Sequence, residues 1–231
     1  MSELLANEGK NLIIEVDGVS YARIPVKTKV VGEGDTIPAV AKEFAGDLVQ
    51  QDDILFVSEK CVACTQKRAI FMKDIHPGFL AKLLCKFVYK SPYGIGLSIP
   101  ETMEMALREC GKIRILWAAF CSAVCKIFGK RGVFYNIAGP KARSIDGPCD
   151  CTLPPYNECV VLGPADPNGV ARNTAKVLGC RVCIIDVNDI GGVILGVSDE
   201  EMDKEFLLKV LKDNPLGQSR QQTPMGLIRK V

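Results

Sequence analysis

Asp17-Gly18 stands between two β-type runs, Leu12-Ile13-Ile14-Glu15-Val16 and Val19-Ser20-Tyr21-Ala22-Arg23-Ile24-Pro25. An Asp-Gly pair supplies the two positive-φ residues that a tight hairpin needs, and it joins its flanking strands antiparallel. A chain that opens on such a hairpin is not a clean doubly wound parallel structure. Further on, short apolar runs alternate with segments of helical spacing. The expected class is therefore α+β, a mixed β-sheet with helices.

The remaining elements follow from periodicity and punctuation. Gly32-Glu33-Gly34-Asp35-Thr36 reads as a turn capping a helix over about 37–49, with Val40, Ala41, Phe44, Ala45 and Leu48 on one stripe. Ile54 to Val57 reads as a buried strand. Helices are expected over 76–89 and 101–108. Ile113 to Phe120 reads as a strand, Cys121 to Phe128 as a helix stopped by Gly129, and Gly132 to Ala138 as another strand. Residues 139–158 form a long loop rich in Gly, Pro and Cys, a kind of segment that is often functional. Cys159 to Leu162 is an expected strand, and Asp166 or Asn168 caps a helix ending near Gly179. Strands are expected over 181–185 and 192–197, and Asp199 caps a last helix over 200–212. The whole of 1–231 is expected to form a single domain, with the hairpin at about 12–25 and a polar tail at about 214–231.

Composition narrows the function classes. Apolar residues make up 48% of the 231, enough for a core, and the formal net charge is +2. That balance argues for neither a nucleic-acid nor a membrane partner. No apolar run reaches the span of a membrane, because Arg114 and Lys126 interrupt the longest candidate. Met1-Ser2-Glu3-Leu4 lacks the order of a secretion signal, and the chain reads as cytoplasmic. Eleven cysteines fit that reading, since most stand in apolar stretches as small hydrophobes.

The segment Ile185-Asp186-Val187-Asn188-Asp189 runs from an apolar strand into oxygen donors and then glycines. Such donors at a strand end suit Mg²⁺ or Mn²⁺, while the same residue types also make ordinary turns. Neither a Gly-x-x-x-x-Gly-Lys-Ser/Thr loop nor a Gly-x-Gly-x-x-Gly fingerprint is present; Ile99 stands where the nearest match needs its third glycine. Two Cys-x-x-Cys pairs, Cys61/Cys64 and Cys180/Cys183, read as buried thiols more readily than as metal knuckles. Cys149, Cys151 and Cys159 at the long loop are the cysteines most accessible to redox or metal chemistry. The single histidine, His76, leaves little room for a His-based triad or a His-rich metal site. Arg23, Lys27, Lys29, Lys60, Lys67, Arg68, Lys141 and Arg143 supply positive charge at strand ends and in loops, suited to phosphates or carboxylates.

Taken in order, five pieces over roughly 23–197 resemble the coenzyme F420-0:L-glutamate ligase family: Gly34-Asp35-Thr36-Ile37; Asp53 to Lys60 followed by Arg68; Ala138-Gly139; Gly163-Pro164-Ala165-Asp166-Pro167-Asn168-Gly169; and Ile185-Asp186-Val187-Asn188. The resemblance implies an α+β ligase that uses GTP and a divalent metal to join L-glutamate to a carboxylate acceptor through an acyl phosphate. It implies a homodimer with small-molecule substrates. On this reading Asp186, Lys60 and Arg143 are catalytic. Lys27, Thr28, Ser58, Glu59 and Ser144 contact the nucleotide, and Asp186, Asn188, Asp189 and Asp146 hold metal. Three departures from the family pattern stand out. Lys141 occupies the place of the second metal aspartate, Asp189-Ile190-Gly191-Gly192 replaces a Gly-Arg-x-Phe-Arg stretch, and a short tail replaces the C-terminal nucleotide segment. A non-catalytic relative that binds an anionic small molecule is the alternative.

Overall fold

The computed structural model describes residues 5–88, 95–130, 132–188 and 191–231. The chain divides into two compact units, one made of Met1–Lys67 with Pro164–Val231 and the other of Arg68–Gly163. The first stretch of the chain holds β1 (Ile13–Val16), β2 (Val19–Val26), α1 (Ile37–Ala45), β3 (Ile54–Ser58) and α2 (Glu59–Thr65). The middle stretch holds β4 (Ala69–Phe71), α3 (Phe79–Leu84), α4 (Pro100–Cys110), α5 (Lys112–Ile127), α6 (Val133–Ala138), α7 (Pro140–Arg143) and β5 (Cys159–Val161). The last holds α8 (Pro167–Leu178), β6 (Arg181–Asn188), β7 (Gly191–Val197), α9 (Lys204–Leu211) and β8 (Met225–Lys230).

The first unit is built on a six-stranded mixed sheet in the order β1-β2-β8-β3-β6-β7. Only β3 and β6 pair in parallel; the other neighbours are antiparallel. The α+β class expected from the opening hairpin is what the chain adopts. Asp17 and Gly18 have φ of 52° and 79°, the two positive values of a primed turn. Strand alternation divides the core in two. Leu55, Val57, Val182, Ile184, Met225 and Leu227 face α1 and α8. Phe56, Cys183, Ile185 and Ile228 face the other way, toward Leu207, Val210 and Leu211 of α9.

Local chemistry sets the helix limits. Asp166 accepts a hydrogen bond from the Gly169 amide, Pro167 opens α8, and left-handed Gly179 closes it. Gly46 ends α1 at Ala45, earlier than the apolar stripe suggests. The last helix starts at Lys204 under an Asp203 cap. Asp199, the expected cap, instead accepts from the Glu201 amide in the preceding turn.

The second unit pairs β4 with β5 and packs α3–α7 around Leu97, Met103, Ala106, Ile115 and Val160. Here the structure corrects four expectations. Ile113 to Phe120, read as a strand, and the helix expected after it are one continuous α5, because no turn residue separates them and Ala, Leu, Lys and Arg favour helix. In place of the strand expected over Gly132 to Ala138, Val133–Ala138 is α6, its β-type composition overridden by packing on α5. The helix expected over 76–89 is shorter, with Pro77-Gly78 delaying it to Phe79; Tyr89 lies outside the described residues. Cys149 and Cys151, read as accessible thiols, are bonded to each other, while Cys159 is buried.

Residues 214–231 do more than form the polar tail expected from the sequence. They contain β8, which lies between β2 and β3, with Met225 and Leu227 fully buried. Two ion pairs secure that region. Arg229 donates from Nε and Nη2 to the buried carboxylate of Asp53 at 3.0 and 2.7 Å. Arg23, 1% exposed, donates to both Asp213 oxygens and to the carbonyls of Val210 and Asn11.

Candidate functional site

The parallel pair of the sheet ends with Ser58 opposite Ile185. Glu59 and Lys60 follow the first of these residues and Asp186 follows the second. In mixed sheets, ligands gather beyond the carboxyl ends of parallel strands. The neighbouring strands bring more groups to the same end. Val26 and Val57 both pair with Met225, so Lys27-Thr28 and 222–224 sit beside Ser58. The Thr28 amide donates to the Gln222 carbonyl at 3.1 Å, Gln222 Nε2 donates to the Thr28 carbonyl at 2.5 Å, and the Ser58 amide donates to the Pro224 carbonyl at 2.9 Å.

Seven of the expected site residues therefore share one end of one sheet: Lys27, Thr28, Ser58, Glu59, Lys60, Asp186 and Asn188. Lys27 and Lys60 are exposed, Thr28 and Glu59 are buried, and Ser58 and Asp186 are partly covered. Alternation places Asp186 on the face of Val182 and Ile184, the face covered by α1 and α8. Asp186 lies within β6, opposite Val193, rather than in a turn after it. Asn188 Oδ1 accepts from the Gly191 amide at 3.1 Å. Asp189 lies outside the described residues.

The same region is braced from α8. Asn168 Oδ1 accepts from the Val197 amide at 2.9 Å, and a Cβ on Gly196 would meet the Pro167 carbonyl carbon at 2.5 Å. Only glycine admits that approach, so the motif at 163–169 locks α8 onto β7. The Ala165 amide donates to Gln66 Oε1 at 2.8 Å, tying the end of α2 to the lead-in of α8. The side-chain bond and charge of Lys29, together with the Gly32 amide, hold the Asp35 carboxyl below its usual range. Cys61 and Cys64 are buried in α2, and burial pushes the Cys61 thiol far up. These are the inert, hydrophobe-like thiols expected of Cys-x-x-Cys here.

Arg143, Ser144 and Asp146 belong to the second unit. Arg143 donates to Asn136 Oδ1, the Ser144 amide donates to the Pro140 carbonyl, and Asp146 exchanges both backbone hydrogen bonds with Val161. Lys141 lies 3.5 Å from Glu109 Oε1, which also receives Arg68 Nη2 at 2.7 Å. Burial alone would raise the Glu109 carboxyl, but Arg68 and Lys141 outweigh it and hold the group below the usual range. A hollow bordered by Asp52, Arg172, Lys176, Arg181 and Asp199 opens at the amino ends of β3 and β6, away from Asp186.

Gln222 and Thr223 are the site neighbours that sequence reasoning missed. Thr223 donates to the Leu216 carbonyl and accepts from Asn7 Nδ2, each at 2.9 Å. The signal was Leu227-Ile228 near the end of the chain, an apolar pair with strand character. Among the described residues no three His, Cys, Asp or Glu side chains gather closely enough to hold a metal by themselves. None of the described helices is long and apolar enough to cross a membrane.

No curated protein matches the chain. The family model described as F420-0:gamma-glutamyl ligase matches residues 25–189, most of the 231.

Proposed function

Because the chain belongs to the F420-0:gamma-glutamyl ligase family, we propose that it is a nucleotide- and metal-dependent amide ligase joining L-glutamate to a carboxylate-bearing acceptor. The observation that supports this most is the parallel pairing of β3 with β6, which sets Ser58-Glu59-Lys60 beside Asp186 at one end of the sheet.

In this reading the nucleotide is GTP. Lys27 and Lys60 meet its phosphates as exposed cations, and the backbone around Thr28 and Ser58 positions them. Asp186 and Asn188, with Asp189 next in the chain, would hold Mg²⁺ or Mn²⁺. The donor set is all oxygen and holds few carboxylates, which fits a cation that takes its remaining ligands from phosphates and water. Such a cation neutralises charge on a transferring phosphoryl group. The acceptor carboxylate takes the terminal phosphoryl group, the nucleoside diphosphate departs, and the glutamate amine then displaces phosphate to leave an amide. Arg143, Ser144 and Asp146 belong to the second unit and carry no part of this proposal. The homodimer and the cytoplasmic setting implied by the family resemblance complete the reading.

The test is nucleoside diphosphate release by purified protein with Mg²⁺ or Mn²⁺, L-glutamate and a panel of small carboxylic acids. Glutamate-dependent release that Asp186→Asn abolishes supports the ligase; no release with any acid counts against it. The ion pair of Lys141 with Glu109, at the place of the family's second metal aspartate, favours a second reading. In that reading the chain is a non-catalytic relative that binds an anionic small molecule. Thermal stabilisation by ligand without any metal would select it.

A further inference from the structure

α5 wears its hydrophobic side outward. Ile115 and Ala118 are buried in the second unit, yet Ile113 is 85% exposed, Ile127 82% and Phe128 75%. Leu116, Trp117, Phe120 and Val124 are exposed as well, and the Trp117 and Phe120 rings stack at 5.7 Å. Spacings of three and four put all seven on one stripe. Soluble monomers seldom leave a contiguous apolar face of this kind, so the stripe needs a cover.

The surrounding charge identifies the cover. Lys112 and Arg114 flank the stripe on either side, and Lys126 and Lys130 are exposed at its C-terminal end. From Cys110 to Ile145 the sequence carries no Asp or Glu. The stretch 75–100 is likewise free of acids, and α3 with the turn after it exposes Phe79, Leu83 and Phe87 beside Lys82 and Lys86. Between these stretches α4 carries Glu101, Glu104 and Glu109, of which Glu104 is paired with Arg108 and Glu109 with Arg68 and Lys141, so the net charge of +2 conceals a local excess of cations around α5. A second copy meeting α5 across a two-fold axis would bring the same cations together with no acid on either stripe to neutralise them. An anionic lipid surface satisfies both features. Acyl chains take up the aromatic and aliphatic side chains, and phosphate headgroups take up the lysines and arginines. With 16 residues, α5 lies along such a surface rather than through it.

We propose that the Ile113–Phe128 face of α5 is a docking surface for an anionic lipid bilayer. Trp117 is the only tryptophan in the chain and reports directly on that face. The full-length protein is mixed with vesicles of phosphatidylcholine alone, or of phosphatidylcholine and phosphatidylglycerol in equal parts. Flotation and Trp117 emission are followed together. Partitioning at least about tenfold stronger to the anionic vesicles is expected, with a blue shift of Trp117 and loss of binding as salt rises. The double variant Trp117→Glu/Phe120→Glu stays in solution, and Lys112→Gln/Lys126→Gln binds more weakly while keeping the wild-type melting temperature. Absence of flotation with anionic vesicles overturns the proposal. So does equal binding to both vesicle types. A blue shift that grows with protein concentration without lipid, alongside dimers that Phe120→Glu dissociates, assigns the face to a second copy and also overturns it.

Discussion

Ser58 of β3 is the parallel partner of Ile185 of β6, so Glu59, which opens α2, and Asp186, still within β6, come next along two adjacent strands. A loop connection would tolerate many positions for these carboxylates. A strand pair buried on both faces, with Val57 and Ile184 fully covered, tolerates few. The sheet thereby fixes where the oxygen donors stand relative to Lys27 and Lys60.

Asp186→Asn keeps the shape of the side chain and removes its charge. Metal-dependent binding of GTP is expected to weaken by more than about tenfold, or more than about 1.4 kcal/mol, with little change in melting temperature. Titration calorimetry with and without Mn²⁺ measures it. Unchanged metal-dependent affinity in the variant would remove Asp186 from the ligand set.

The last strand makes a prediction about folding. Leu227 is fully buried in β8 between β2 and β3. Leu227→Ala is expected to cost about 2–5 kcal/mol in urea unfolding, because the neighbouring strands cannot collapse into the cavity. A Cβ on Gly226 would stand 2.5 Å from Phe56 Cζ and 2.7 Å from the Ile24 carbonyl oxygen. Gly226→Ala therefore costs about 1–3 kcal/mol through overpacking, although it adds only one methyl group.

Local chemistry was legible wherever it was decisive. Asp17-Gly18 announced the hairpin, and Asp166-Pro167 with Gly179 announced both ends of α8, because caps and turns depend on residues adjacent in sequence. The placement of β8 was not legible. Its strand character comes from β2 and β3, partners from the opening part of the chain, and only Leu227 and Ile228 hinted at burial. Ile113 to Phe120 is helical where a strand is expected because an apolar run of that length suits strand or helix alike, and packing against α4 and α6 decides between them. At the candidate site, Asp186, Ser58 and Lys27 could be named from the sequence. Their common location on one sheet end could not, since it rests on the pairing of β2, β8, β3 and β6.

Glu109 gives the second unit a dependence on pH. Its carboxylate holds Arg68 at 2.7 Å and Lys141 at 3.5 Å, and its titration lies below the ordinary value. A depressed folded pKa means that the stabilisation is present above the unfolded value, near about 4.3, and is lost as pH falls through the folded value. Wild type is expected to exceed Glu109→Gln by about 1–2 kcal/mol at neutral pH. The difference should close as pH drops below about 4. Denaturant melts of both proteins across that range check it, and a gap that persists undiminished at low pH would show that Glu109 acts through packing instead.

Arg23 makes the stronger demand on its partner. The guanidinium is almost completely buried, and its charge is met by the Asp213 carboxylate with help from the Asn11 and Val210 carbonyls. Asp213 itself is partly exposed; burial would raise its carboxyl, but Arg23 holds it below the usual range. Removing the acid leaves a buried cation on two neutral acceptors, so Asp213→Ala is expected to cost about 2–3 kcal/mol. Replacing both partners by apolar residues of similar volume, as in Arg23→Met/Asp213→Leu, abolishes the charge along with its desolvation cost. The double variant should therefore be more stable than Asp213→Ala alone, and a double-mutant cycle in urea measures the difference. If the double variant is instead the least stable of the set, the pair is a net source of stability and the desolvation argument fails.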